Sequence, residues 1–119
     1  MEIEEFYNTI GGDYAEVADR LQSPVVIKKF VLKFADDASF AQLKEAFAEG
    51  SVSDAFMAAH TLKGIALTLG FKKLAVAASA LTEQLRPLQG FPPESYFDAT
   101  NEAYGEVISA INKLMVCSV

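Results

Sequence analysis

Apolar side chains recur at steps of three and four residues along most of this chain, a spacing that places them on one face of an α-helix. Three of the stripes are a short one of Phe40, Leu43 and Phe47; a longer one of Leu74, Ala78, Leu81 and Leu85; and a third of Phe97, Tyr104, Val107, Ile108, Ile111 and Leu114. The pattern predicts an all-α protein built from amphipathic helices.

Residues typical of helix starts and stops divide this pattern into separate helices. Gly50 and Gly70 stand where a left-handed residue ends a helix. Gly11-Gly12 interrupts the first twenty residues, which are predicted to form either one helix broken in two or a partly disordered segment. Capping pairs are predicted for Asp13 with Glu16, Ser39 with Gln42 and Ser51 with Asp54, and Ser23-Pro24 is predicted to open a further helix. The predicted helices cover residues 13–21, 24–35, 39–49, 51–69, 71–86 and 92–114.

The connections between these helices are short, which favours antiparallel neighbours. The economical architecture is an antiparallel, up-down-up-down four-helix bundle with the N-terminal helix or helices packed against it. About half of the 119 residues are hydrophobic, enough for one core and too few for two domains. We therefore expect a single domain over residues 1–119, in which residues 1–23 form a helical extension.

Charge and composition limit the partners of this domain. A formal net charge of −6 argues against nucleic acid and anionic membranes, because both attract concentrated Lys and Arg. No apolar stretch approaches the roughly 20 residues needed to cross a bilayer, and the acidic start of the chain is unlike a secretory signal. The lone cysteine, Cys117, can form neither an intrachain disulfide nor a cysteine-based zinc site. We expect a cytoplasmic monomer that binds other proteins.

The one histidine of the chain, His60, lies in the middle of the predicted helix over residues 51–69. It belongs to a stripe predicted to face away from the core. The members of this outer stripe are His60, Lys63, Gly64 and Leu67, whereas the inward stripe is formed by Phe56, Ala59, Leu62, Ala66 and Leu69.

The outer stripe combines three features that suit phosphoryl-group chemistry. The neutral imidazole of His60 has one nitrogen with a free lone pair, which can attack a phosphoryl group. Lys63, one turn later, can neutralise charge on the phosphoryl oxygens. Gly64 costs about 1 kcal/mol relative to alanine inside a helix, but its missing side chain lets the backbone of a partner approach.

Each of these residues also has an ordinary explanation when it is taken alone. His60 fits a surface histidine, Lys63 a solvated charge, and Leu67 a residue at the boundary of the core. Gly64 fits a close contact between two helices. The combination of all four favours a functional site.

The segment His60-Thr61-Leu62-Lys63-Gly64, followed by Ala66 and Leu69-Gly70, resembles the signature of histidine-containing phosphotransfer (HPt) domains. The resemblance covers residues 24–115. It implies a four-helix bundle in which the histidine accepts a phosphoryl group from an aspartyl phosphate of a response-regulator receiver domain and passes it to another receiver in a phosphorelay.

The same resemblance implies the roles of individual residues. His60 is the phosphoacceptor, Lys63 neutralises phosphoryl charge, and Gly64 admits the receiver. Leu67 is a candidate hydrophobic contact with the receiver. Thr82 and Arg86 fall at the positions of a polar neighbour of the histidine and of a docking or charge-balancing residue, although the family often has a longer side chain at the position of Thr82.

The resemblance also implies what the partners supply. Receiver domains, including those of hybrid histidine kinases, bring the Mg²⁺ ion and the aspartate, so this chain needs no metal site and no cofactor of its own. No Walker-type loop for nucleotide phosphates is present. We expect a phosphocarrier without autonomous kinase or phosphatase activity.

Three alternatives remain open at this stage. The chain can keep the HPt fold and sequester a receiver without transfer. It can also be an unrelated structural bundle in which the motif is a coincidence. An enzyme that uses His60 as a general base is the fourth interpretation, but no second catalytic side chain accompanies the histidine at a persuasive spacing.

Overall fold

The computed structural model describes residues 1–87 and 89–116, so that Cys117 lies outside the described residues. These residues form α-helices and no strand, which confirms the all-α prediction. The helices are α1 (Ile3–Ile10), α2 (Tyr14–Leu21), α3 (Pro24–Phe34), α4 (Ser39–Glu49), α5 (Val52–Thr68), α6 (Lys72–Leu85) and α7 (Glu94–Val116).

Most of the predicted helix ends are found in the structure. The side chains of Asp13, Ser23 and Ser51 each accept a hydrogen bond from the backbone N–H three residues later, at 3.1 to 3.3 Å. These bonds satisfy N–H groups that have no partner within the helix. Gly11 adopts a left-handed conformation and ends α1. The N-terminal segment is therefore one helix broken in two.

The predicted capping pair of Ser39 with Gln42 is wrong. The residue that precedes α4 is Ala38, and Ser39 is already the first residue of the helix, where it is buried. The oxygen that accepts from the Ser39 N–H, at 2.9 Å, belongs to Asp37. The carboxylate of Asp37 thus satisfies an N–H group at the start of α4, and the side chain of Ser39 does not cap the helix.

The four long C-terminal helices form a bundle in which consecutive helices pack against each other. Aromatic rings close it between α4 and α7, where Phe40 stacks on Tyr104 with centroids 4.1 Å apart and Phe47 lies 4.9 Å from Phe97. The helical bundle is confirmed, and the up-down-up-down order stays a prediction. Within the described residues, no helix is long and apolar enough to cross a membrane.

The N-terminal helices hold the C-terminal end of α5, the helix that carries His60. The hydroxyl of Tyr7, which is buried in α1, donates a 2.6 Å hydrogen bond to the carbonyl of Leu69. Burial raises the pKa of Tyr7, so its hydroxyl keeps the proton that it donates. The guanidinium of Arg20 in α2 donates to the carbonyl of Thr68. The extension thereby satisfies carbonyl groups that the end of α5 leaves without helical partners.

Candidate functional site

His60 lies on the exposed side of α5, in the middle of the helix. On the opposite side, Ala59, Leu62 and Ala66 are fully buried, as their stripe predicts. Phe56 is the exception in that stripe. It is only half-buried and lies beside His60, at the boundary between the core and the surface. The core therefore fixes α5 and leaves the imidazole on the surface.

His60 borders an open groove of about 590 Å³ between α3 and α5. From α5, Gly64 and Ile65 line it beside the histidine, and from α3, Phe30 and Lys33 form the facing wall. Phe30 is 42% exposed, a large fraction for an aromatic side chain. No sequence motif indicated this wall; the available signal was that Phe30 lies off the stripe of α3 that is buried, Ile27, Val31 and Phe34.

Gly64 has open space where a side chain would point. A Cβ atom built on it meets no atom within 4 Å apart from its own helix, which excludes the close helix contact that was the ordinary explanation for this glycine. The carbonyl oxygen of Gly64 also accepts a 2.9 Å hydrogen bond from the hydroxyl of Thr68. A partner can therefore approach the backbone of α5 directly beside the imidazole.

Lys63 follows His60 by one turn and is half-buried. The ion pairs in residues 1–87 and 89–116 are Glu16–Arg20 and Glu83–Arg86, so the ammonium of Lys63 makes none. An unpaired ammonium at this spacing can meet an anionic group held by the histidine.

Arg86 is connected to His60 through an aromatic ring. Its guanidinium lies 5.5 Å from the ring centre of Phe56, and that ring centre lies 6.1 Å from the imidazole of His60. Two nitrogens of Arg86 also donate to the carboxylate of Glu83, at 3.1 and 2.9 Å. The structure thus places Arg86 on the ring beside the histidine, with two of its donors bound to a carboxylate.

Glu83 is a charged neighbour of the site that no pattern in the sequence singled out. Its hydrogen bonds with Arg86 and the charge of Arg86 hold the pKa of its carboxyl below the usual value, and the Lys63 ammonium acts in the same direction. Glu83 therefore lies under the influence of both cations of the site. No motif indicated this arrangement, because it depends on how α6 packs against α5.

Leu67 is 53% exposed but does not line the groove beside His60. It borders a second groove of about 600 Å³, where α5 and α6 meet the start of α2. Val76 of α6, which is 65% exposed, lines the same groove. A receiver contact at Leu67 stays a prediction, and it would lie on the other flank of the histidine.

The prediction that Thr82 contacts a partner is wrong. Its side chain is completely buried, and its hydroxyl donates a 2.6 Å hydrogen bond to the carbonyl of Ala78 in the same helix. A short β-branched side chain at this position bonds back to its own helix instead of reaching the surface. Thr82 is therefore removed from the candidate site.

The described residues contain no cluster of three or more His, Cys, Asp or Glu side chains that could hold a metal ion. The site instead offers one imidazole, two nearby cations and an open backbone. This arrangement can hold an anionic group on the histidine and can admit a second protein.

A family model described as the Hpt domain matches residues 32–110, well over half of the chain. The match contains helices α4 to α6, the first part of α7 and the end of α3, whereas α1, α2 and the exposed wall residue Phe30 precede it. No curated protein and no solved structure matches the chain significantly.

Proposed function

This chain belongs to the Hpt domain family, and on that premise we propose that His60 accepts a phosphoryl group from an aspartyl phosphate of one receiver domain and passes it to another. Hpt domains are phosphocarriers of two-component systems that interact with receiver domains. The observation that carries the proposal is the exposed His60 on α5 beside the open face of Gly64 and the unpaired Lys63.

The proposed transfer needs one nucleophile from this chain. The free lone pair of the His60 imidazole forms the N–P bond while the acyl O–P bond of the aspartyl phosphate breaks, and the aspartate leaves as a carboxylate with the electron pair. The proton on the other ring nitrogen stays in place. Onward transfer reverses these steps with a second aspartate. Alignment on a rigid helix and charge neutralisation by Lys63 supply the contribution of this chain.

The receiver would dock over the groove beside His60. Gly64 gives its backbone room, and the exposed ring of Phe30 with the half-buried Ile65 offers apolar contact area at the centre of that surface. Leu67 and Arg86 would contact the receiver at the opposite edge. Because Phe30 precedes the matched family segment, this part of the surface is a feature in which carriers of the family can differ.

The proposal also covers the cofactor, the location and the oligomeric state of the carrier. The receiver supplies the Mg²⁺ ion and the acceptor aspartate, so this chain acts without a cofactor and without kinase or phosphatase activity of its own. It works as a cytoplasmic monomer in which residues 24–115 form the phosphotransfer unit and residues 1–23 extend it.

A receiver-binding module without transfer is the second candidate. The observation that favours it is the burial of Thr82, which leaves His60 without the polar neighbour on α6 that the resemblance implies. Incubation of the chain with receivers phosphorylated by a small phosphodonor separates the two functions. Transfer of phosphate to the chain supports the carrier. Binding of receivers without any transfer supports the sequestering module and rejects the carrier.

Gly64→Gln is expected to slow phosphoryl transfer from a receiver by about tenfold or more, although it stabilises the protein by roughly 0.5–1 kcal/mol. The added side chain meets no atom of this chain within 4 Å at its Cβ but occupies the space that the receiver needs. Initial transfer rates and urea denaturation measure the two effects.

Gly105→Gln is the matched control for this prediction. Gly105 lies inside α7, is exposed, and likewise has no atom within 4 Å of a built Cβ. It should give the same gain in stability with an unchanged transfer rate. Equal transfer rates in both variants would show that the open face of Gly64 has no role in docking.

Lys63→Gln is expected to lower the rate of transfer about tenfold, equivalent to ~1.4 kcal/mol of transition-state stabilisation. The ammonium is lost while the length and helix propensity of the side chain are nearly kept. Lys113→Gln removes the same charge from the exposed face of α7 and serves as the control. Indistinguishable rates for the two variants would remove Lys63 from the phosphoryl site.

A further inference from the structure

Three charged side chains lie close to one another beside the histidine, and one of them has the opposite sign to the others. Lys63 of α5 and Arg86 at the end of α6 are cations, and the carboxylate of Glu83 on α6 is influenced by both of them. The Glu83 carboxylate holds Arg86 through two hydrogen bonds, at 3.1 and 2.9 Å. Both partners of this pair are more than half exposed, so the pair contributes little to stability.

The position of this pair connects it with the reacting group. Arg86 packs on the face of Phe56, and Phe56 is the ring next to the imidazole of His60. A phosphoryl group on His60 would bring almost two negative charges to this flank at neutral pH. Arginine is the side chain best suited to bind such a group with two parallel hydrogen bonds. In the structure, however, two of the five N–H donors of Arg86, on Nε and one terminal nitrogen, are bound to Glu83.

We propose that Glu83 is a positioning residue that withholds Arg86 from phosphorylated His60 and thereby favours onward transfer to a receiver. The inference rests on the proposed function. It adds a residue that influences the equilibrium of the phosphoryl group between His60 and the aspartate of the receiver. Glu83 acts in two ways, and both destabilise the phosphohistidine. The two hydrogen bonds hold the guanidinium at the carboxylate and so compete with a bidentate contact to the phosphoryl group, and the carboxylate itself repels the phosphoryl oxygens. Both effects make the phosphohistidine less stable relative to the aspartyl phosphate.

Removal of the Glu83 charge should therefore shift the exchange equilibrium toward phosphorylated His60. One charge that acts in water on a doubly charged group at a separation on the order of 10 Å shifts such an equilibrium by about threefold at ~0.01 M ionic strength. The shift should fall below about twofold at ~1 M salt, where the screening length is only ~3 Å. This dependence on salt is expected of a charge effect and not of a change in packing.

The experiment measures the distribution of phosphate between the chain and one phosphorylated receiver at equilibrium. Glu83→Gln keeps the size of the side chain and removes its charge. Glu102→Gln, on α7 in the groove between α6 and α7, removes the same charge away from the α5 flank and is the control. Arg86→Gln and the Glu83→Gln/Arg86→Gln double variant complete a double-mutant cycle. The midpoint of urea unfolding is measured for each protein.

The expected result is a shift toward phosphohistidine in Glu83→Gln and none in Glu102→Gln. The shift should be smaller, but still present, when Arg86 is also replaced, because the direct repulsion by Glu83 does not involve Arg86. An equilibrium equal to that of Glu102→Gln, or a shift that does not depend on salt or on Arg86, would overturn the inference while the carrier function stands. Failure of the wild-type chain to accept any phosphate would instead overturn the proposed function, and this inference with it.

Discussion

His60→Gln is expected to abolish phosphorylation of the chain by receivers, lowering transfer by a factor of more than about 10³. The amide of glutamine has no nitrogen lone pair that can form a stable N–P bond, and the chain contains no second histidine that could replace it. Glutamine also propagates a helix well. Because His60 is exposed, the variant should fold with a stability within about 0.5 kcal/mol of the wild type.

The measurement is incorporation of phosphate that is labile in acid and stable in alkali, the behaviour of a phosphorylated imidazole. Binding of the same receiver to His60→Gln provides the control, since the apolar groove and the open face of Gly64 are unchanged. Loss of label with binding retained assigns the phosphoacceptor. Undiminished label in the variant would place the phosphate on another side chain and remove His60 from the mechanism.

The parts of this fold that could be predicted from the sequence are those in which the signal is local. The caps at Asp13, Ser23 and Ser51 depend on atoms three residues apart, and the left-handed stops at Gly50 and Gly70 depend on a single residue. The outward direction of His60 follows from the helical period of its own helix. Short-range chemistry was therefore enough to place the nucleophile.

The parts that could not be predicted depend on contacts between helices. The sequence does not show that Arg86, which is paired with Glu83, lies over the ring of Phe56, since this requires the packing of α6 on α5. The resemblance to the family likewise predicts that Thr82 contacts a partner at the surface, whereas Thr82 is buried in the structure. The wall formed by Phe30 requires the position of α3 relative to α5. In each case a neighbour distant in sequence decides the environment of the residue.

The same dependence on distant neighbours explains why the N-terminal extension matters for the site. Gly70 ends the segment after α5 with a positive φ of +71°. A Cβ atom at this position would overlap the side chain of Val17 and lie 3.0 Å from the carbonyl oxygen of Asp13, both in the extension. The Gly70 carbonyl also accepts a 3.1 Å hydrogen bond from the Asp13 N–H. Gly70 is thus a point of close contact between the extension and the end of the histidine helix.

Gly70→Ala is therefore expected to destabilise the protein by about 2–4 kcal/mol, through left-handed backbone strain of ~1 kcal/mol together with an overpacking cost of ~1–3 kcal/mol. Gly50→Ala is the matched control, because Gly50 has nearly the same φ of +74° but nothing within 4 Å of its Cβ. It should cost only the strain of about 1 kcal/mol. Urea denaturation of both variants measures the difference, with the slope of the transition as a check on two-state behaviour.

The difference between the two variants isolates the contact between the extension and α5, since the backbone strain is common to both. If the extension holds the end of α5, hydrogen exchange in the last turn of that helix should accelerate in Gly70→Ala and stay unchanged in Gly50→Ala. Equal destabilisation by the two substitutions would show that α2 shifts at Val17 to accommodate the added methyl group without any further loss of stability. The N-terminal helices would then be dispensable for the rigidity of the helix that presents His60.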